Sequence, residues 1–230
     1  MCGRFTYRFT WEQLHRLMNL IDWPSEELHA RYNVAPTQTA PIVRSDARGR
    51  HGVMLTWGLV PFWAGDATIG QKMINARADG VTSKPAFRDA FLKRRCLVPI
   101  SGFYEWQKTG EARRKQPFVI ERSDQQPFLL AGLWERWTKG ESPLETFTII
   151  TTEANALLEP IHDRMPAIIE ASDAEAWLSP SHTDADALHA LLKPADPTGF
   201  RSRPISTLVN SPKNDESAIL DQSGGTLFGQ

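Results

Sequence analysis

Cysteine is nearly absent from this chain: there are two in 230 residues, Cys2 and Cys96. That count builds no disulfide framework and the spacing suits no metal, so neither a stapled secreted fold nor a metal centre is expected. No apolar run approaches the ~18 residues that would cross a bilayer, and Met1–Arg8 lacks the apolar stretch of a secretory signal. A cytoplasmic protein without a membrane partner, metal or cofactor is the expectation. Net charge is also missing, with 26 Lys+Arg against 27 Asp+Glu, which argues against a generically basic protein. No internal repeat is visible. What remains is 41% hydrophobic and 23% charged, enough to bury a core as one large domain or two small ones.

The charge that is present is unevenly placed. Residues 1–115 hold 18 Lys+Arg and 10 Asp+Glu, whereas 116–230 hold 8 and 17. An arginine-rich half can supply a polyanion-binding face in a near-neutral chain, unless folding scatters it. Alternating or apolar stretches rich in branched and aromatic residues predict strands at Pro41–Arg44, Val53–Leu59, Cys96–Ile100, Gly102–Trp106, Pro117–Glu121, Phe128–Trp134, Phe147–Thr151 and Ala167–Glu170. Helices are fewer. Thr10 with Gln13 forms a capping-box start for Trp11–Leu20, Ser172 with Glu175 for Asp173–Leu178, and Thr183 with Asp186 for Asp184–Leu192. Thr152 reads as the start of a further helix through Leu158. Short strands interrupted by isolated helices predict an α+β fold, mainly antiparallel β with a few peripheral helices. Lys108–Lys115 reads as an exposed hairpin loop, and 224–230 as a frayed tail after a single domain over 1–223.

Cys2 is placed for unusual chemistry. A methionine before a small residue is commonly removed, which would make Cys2 the N-terminus, with an amine of pKa about 7.7 to 8.0 beside its thiol. The amine condenses with an aldehyde to an imine, and the thiol closes on the same carbon to a thiazolidine. The thiol alternatively attacks an acyl group, or the residue is incidental to function. Cys96, in Arg95-Cys96-Leu97-Val98, reads as a reduced core thiol. Three polar residues sit in apolar or strained settings: Asn75 in Met73-Ile74-Asn75-Ala76-Arg77, Glu105 in Gly102-Phe103-Tyr104-Glu105-Trp106, and His162 before Asp163-Arg164-Met165-Pro166. A buried Glu105 would have its pKa raised toward neutrality, as proton transfer requires; an outward position on an edge strand would leave it in water. His162 is suited to moving protons, although a surface histidine in a turn is also consistent with its context.

Together these residues resemble the SRAP family of abasic-site processing proteins, first described as SOS-response-associated peptidases. The resemblance is carried by Met1-Cys2-Gly3-Arg4-Phe5, Arg31-Tyr32-Asn33-Val34-Ala35-Pro36-Thr37-Gln38, Trp57-Gly58-Leu59-Val60-Pro61-Phe62-Trp63, Asn75-Ala76-Arg77-Ala78, Arg95-Cys96-Leu97-Val98-Pro99, Gly102-Phe103-Tyr104-Glu105-Trp106, Ala131-Gly132-Leu133-Trp134-Glu135 and Ile161-His162-Asp163-Arg164-Met165-Pro166. The segment Val209–Asp215 is similar to the family's C-terminal stretch, and Asp79 stands where glutamate is expected. The resemblance implies a barrel-like domain that acts, as a monomer, on abasic sites in single-stranded DNA, in a cytoplasmic protein that joins the nucleoid during DNA damage. It implies a thiazolidine crosslink through Cys2, with Asn75 positioning the amine, and Glu105 and His162 moving protons. A lyase side reaction and removal of Met1 by self-processing are further implications. Arg4 and Arg77, then Arg164, become phosphate ligands. Asn33 and Pro36 share a motif at the same DNA surface, where Pro36 and Trp63 would stack on bases; Phe62 fits core packing better, and Trp63 fits either. The competing readings are a cysteine peptidase acting in trans and a non-covalent binder of single-stranded DNA.

Overall fold

Apolar residues at two-residue spacing build two sheets in the computed structural model, which describes residues 2–108 and 115–221. Strands are numbered along the chain. The first sheet is antiparallel, in the order β14 (Phe200–Pro204), β9 (Lys115–Arg122), β8 (Gly102–Lys108), β1 (Phe5–Tyr7) and β3 (Arg31–Val34). The second runs β12 (Arg164–Pro166), β11 (Leu144–Glu153), β10 (Phe128–Trp137), β7 (Arg95–Ile100), β4 (Thr39–Asp46), β5 (Gly49–Trp57) and β2 (Leu20–Asp22). Beside it β13 (Ile168–Ile169) pairs with β10, and β6 (Asn75–Arg77) pairs in parallel with β11. A short parallel pairing of β11 with β5, Thr146 opposite Thr56 and Phe147 opposite Trp57, closes β5, β4, β7, β10 and β11 into a ring. This is the expected α+β class, mostly antiparallel with few helices. Among the described residues no helix is long and apolar enough to cross a membrane.

The core draws the two sheets together around Trp57, whose ring lies 5.0 Å from Phe5 and 6.2 Å from Phe147, centroid to centroid. Trp57 Nε1 donates to Ile74 O at 2.9 Å and so fixes the residue before Asn75. The strand stops at Gly58, which has φ +127° and approaches Gly70 so closely that a Cβ would lie 2.6 Å from its carbonyl oxygen. Only glycine fits there.

The helices are α1 (Trp11–Met18), α2 (Arg88–Lys93), α3 (Ala174–Leu178) and α4 (Ala185–Ala190). The Thr10 capping box forms, and α1 ends at Met18, two residues short of the sequence expectation, with Asn19 capping it in the left-handed region. The other two boxes do not form. No side chain caps α3, and α4 is capped by Asp184, which accepts from Asp186 N and Ala187 N, so the carboxylate next to the helix displaces Thr183. The helix expected from Thr152 is a strand: β11 runs on to Glu153 with Thr152 opposite Met165, and the following turn is capped by Asn155 Oδ1. The short α2 carries no capping signal and is not visible in the sequence. Its last carbonyls and those of α3 are held by buried Arg95, which donates to Phe91 O, Leu92 O, Trp177 O, Ser179 O and His182 O. The expected loop Lys108–Lys115 lies largely outside the described residues, as does the tail, although β8 and β9 pair as far as Lys108 opposite Lys115.

His51 clamps the far edge of the second sheet, with Nδ1 2.7 Å from Asp22 Oδ1 and Nε2 2.9 Å from Asp46 Oδ1. Burial opposes charge on the ring, but the two carboxylates outweigh it and raise its pKa. A raised folded pKa contributes stability that is complete below the unfolded value and lost as pH rises through the folded one. The difference in Tm between wild type and His51→Gln should therefore be widest near about pH 6 and shrink toward about pH 9. A constant difference across that range would contradict the clamp.

Candidate active site

The extended backbone before β1 lays Cys2 next to β8: the register Phe5 to Phe103 continues through a bond from Tyr104 N to Arg4 O, bringing Glu105 opposite the Cys2–Gly3 segment. Cys2 is completely buried. Burial pushes its thiol pKa well above the usual range, and the nearby Glu105 carboxylate adds to the shift. Asn75, at the head of β6, donates from Nδ2 to Cys2 O at 2.8 Å, while its buried Oδ1 has no hydrogen-bond partner among the described residues.

Glu105 is 2% exposed. The alternative of an edge-strand position is removed by topology, since β8 lies between β9 and β1 and Glu105 shares the core-facing side with Phe103. Burial pushes its pKa up to about 7, and the charge of Asp163 contributes. Gln107 falls on the same face and donates to Pro160 O at 2.9 Å, tethering the loop that carries His162 to the strand that carries Glu105.

His162 is partly buried, and its Nδ1 accepts the Arg164 backbone N–H at 3.0 Å, which leaves the neutral ring's proton on Nε2. Asp163 Oδ1 lies 2.9 Å from the same nitrogen, yet burial outweighs this carboxylate and lowers the ring's pKa. Around neutral pH the site thus holds a neutral imidazole, a carboxyl near its midpoint and a protonated thiol.

The residues expected at the DNA surface separate into two groups. Arg77 is exposed on β6 and forks onto Asp79, at 3.1 Å from Nε and 2.7 Å from Nη2. Arg164 donates to Thr151 O at 2.6 Å, and both it and Lys84 lie within the field of Asp79. Trp63 and its neighbour Phe62 are exposed at 44% and 47%, so Phe62 is not the core residue its apolar context implied. Trp63 Nε1 donates to Pro85 O at 3.4 Å, beside Lys84. These groups form a cationic and aromatic margin near the Asn75 strand.

Arg4 and Asn33 lie instead under the C-terminal segment. Arg4 Nη1 donates at 2.7 Å to both Asn33 Oδ1 and Val209 O. Asn33 is fully buried, with Nδ2 donating to Val209 O, Ser211 O and Asn214 O. Asp215 completes this buckle by accepting from Tyr32 N, Asn33 N and the Arg31 guanidinium. Pro36 is half-buried at the second position of the Ala35–Gln38 turn, where Thr37 takes φ +73°, a strained value for a β-branched residue. Asp215 closes the Val209–Asp215 segment that the sequence singles out, whereas Thr151 and Gln107, which hold the site in place, are not singled out by it. Their partners are remote in the chain, and no local pattern marks them.

A family model described as SOS response associated peptidase (SRAP) matches residues 1–212. The chain belongs to the SRAP family. The resemblance read from its motifs is thereby borne out. Among its SRAP relatives, Abasic site processing protein YoqW of Bacillus subtilis is 41% identical over 223 residues, covering 96% of this chain and 99% of that protein. Abasic site processing protein HMCES of Gallus gallus is 35% identical, covering 82% of this chain and 65% of its own length. In three dimensions the SRAP chain is similar to the crystal structure of a Bacteroides thetaiotaomicron protein, with a TM-score of 0.76 and 34% identity over 85% of this chain and 87% of that one.

Proposed function

We propose that this protein captures abasic sites in single-stranded DNA through a covalent bond to Cys2, formed once Met1 has been removed. The observation that carries this reading is the gathering of Cys2, Asn75 and Glu105 at one buried point, in a family whose relatives bear the name abasic site processing protein.

The chemistry balances without a cofactor. The Cys2 amine attacks the aldehyde of the ring-opened sugar, and loss of one water leaves an imine. The thiol then adds across that C=N bond, sulfur to carbon and proton to nitrogen, closing a thiazolidine. Glu105, titrating near neutrality, takes and returns these protons. Asn75 Oδ1 accepts from the freed amine while Nδ2 keeps the Cys2 carbonyl in place. His162 assists from the tethered loop. The same imine acidifies the adjacent sugar carbon, so strand cleavage by β-elimination is a side branch.

The test is incubation with abasic and intact single-stranded oligonucleotides and with peptides. An adduct that survives denaturation on abasic DNA alone supports the reading, and peptide turnover without an adduct overturns it. Arg77 grips backbone in this scheme, so Arg77→Ala should weaken abasic and intact strands alike and lower the salt dependence of affinity by a slope of about 0.7. A slower saturated rate with unchanged affinity would contradict that role.

A further inference from the structure

A second concentration of positive charge lies away from Cys2, at the opposite end of β1. Glu121 on β9 is 2% exposed, and three arginines converge on it. Arg8 Nη2 reaches its Oε2 at 3.3 Å, while Arg201 Nη2 and Arg203 Nε reach its Oε1 at 2.9 Å and 3.4 Å. One carboxylate cannot neutralise three guanidinium groups, so the cluster keeps a formal charge of about +2. Neighbouring Arg122 is spent on Asp124, at 2.7 Å, and contributes little. Arg203 also donates to Leu220 O, and the Arg8 backbone N–H donates to Ser101 Oγ at 2.9 Å. They remain reachable, with side chains 28%, 44% and 28% exposed for Arg8, Arg201 and Arg203. Arg8 Nε has no hydrogen-bond partner among the described residues.

We propose that this Arg8–Arg201–Arg203 cluster is a second phosphate site that holds the DNA backbone at a distance from the lesion. A buried carboxylate that orients several arginines without cancelling them leaves their remaining N–H donors for phosphate oxygens: Arg201 spends Nε and Nη2 on Glu121 Oε1, at 3.2 and 2.9 Å, and keeps Nη1. From Cys2 to Arg8 the chain spans six residues, at most roughly 20 Å when extended. A single strand, more extended than the ~3.4 Å per phosphate of a duplex strand, covers that distance in at most about six nucleotides. The site therefore acts on strands that continue well past the abasic position and leaves short ones untouched.

This inference rests on the DNA reading above, and strand length separates the two. Adduct formation and affinity are measured for wild type, Arg201→Gln and Arg201→Lys on abasic oligonucleotides with about two or about ten nucleotides on each side of the lesion. Arg201 is the most exposed of the three, and unchanged thermal melting confirms that each variant is folded. On long strands Arg201→Gln should lose about threefold or more in affinity and lower the salt slope by about 0.7, whereas Arg201→Lys should restore most of both. On short strands all three proteins should behave alike. Equal affinity of Arg201→Gln and wild type on long strands would overturn the phosphate site and leave the cluster as a clamp between β9 and β14. Absence of an adduct with every substrate would overturn the DNA reading itself.

Discussion

Cys2→Ser is expected to abolish the denaturation-resistant adduct, by at least about a hundredfold in yield, while leaving non-covalent affinity for the strand within about twofold. The serine amine still condenses with the aldehyde, but a hydroxyl closes poorly on the imine, and the linkage stays open to hydrolysis. Cys2 is fully buried with its carbonyl held by Asn75, and serine is nearly isosteric, so the site should keep its shape. A denaturing gel after incubation with abasic DNA checks this. An adduct of wild-type yield and heat stability from the serine variant would move the attack to another residue, with Lys72 and Lys84 the first to examine.

Glu105→Gln should slow adduct formation at saturating DNA by about 10²- to 10⁴-fold, the usual range for removal of a positioned proton-transfer group. The sign of the pH effect follows from its pKa of about 7, raised by burial. In wild type the carboxylate is the proton acceptor, so the rate climbs as pH rises through about 7. Glutamine has no such titration, so the component of the rise centred near 7 should vanish from the pH–rate profile, leaving the rise from the Cys2 amine at about 7.7 to 8.0. Affinity should hardly change, because Glu105 is buried and does not belong to the exposed margin of Arg77 and Trp63. A variant that chiefly lost affinity, or that kept the component centred near 7, would remove Glu105 from the chemistry.

The sequence discloses the strands of this protein better than their ends or its helices. Alternation marks β7 to β10 because burial on one face repeats every second residue. Thr152 misleads because a capping residue has the same local signature whether or not tertiary pairing claims it, and here Met165 does. Cys2, Asn75 and Glu105 stand out as polar or reactive groups in apolar surroundings. Their meeting depends on register: β1 against β8, and β6 against β11. Periodicity contains neither pairing, and motif resemblance had to supply the grouping. Asn33 shows the reverse limit. Its motif places it at a DNA surface, while the fold spends its amide on Val209, Ser211 and Asn214. Phe62 looks like core and is exposed, because the chain after Gly58 leaves the sheet before reaching it.

Intact mass of the purified adduct, with thiol alkylation before and after reaction, tests the central claim most directly. The expected product weighs the chain without Met1 plus the abasic oligonucleotide minus one water, resists borohydride, and carries a Cys2 thiol that no longer alkylates. A product that retains Met1, that maps to a lysine, or whose Cys2 still alkylates would contradict capture by the amine and thiol of Cys2 together.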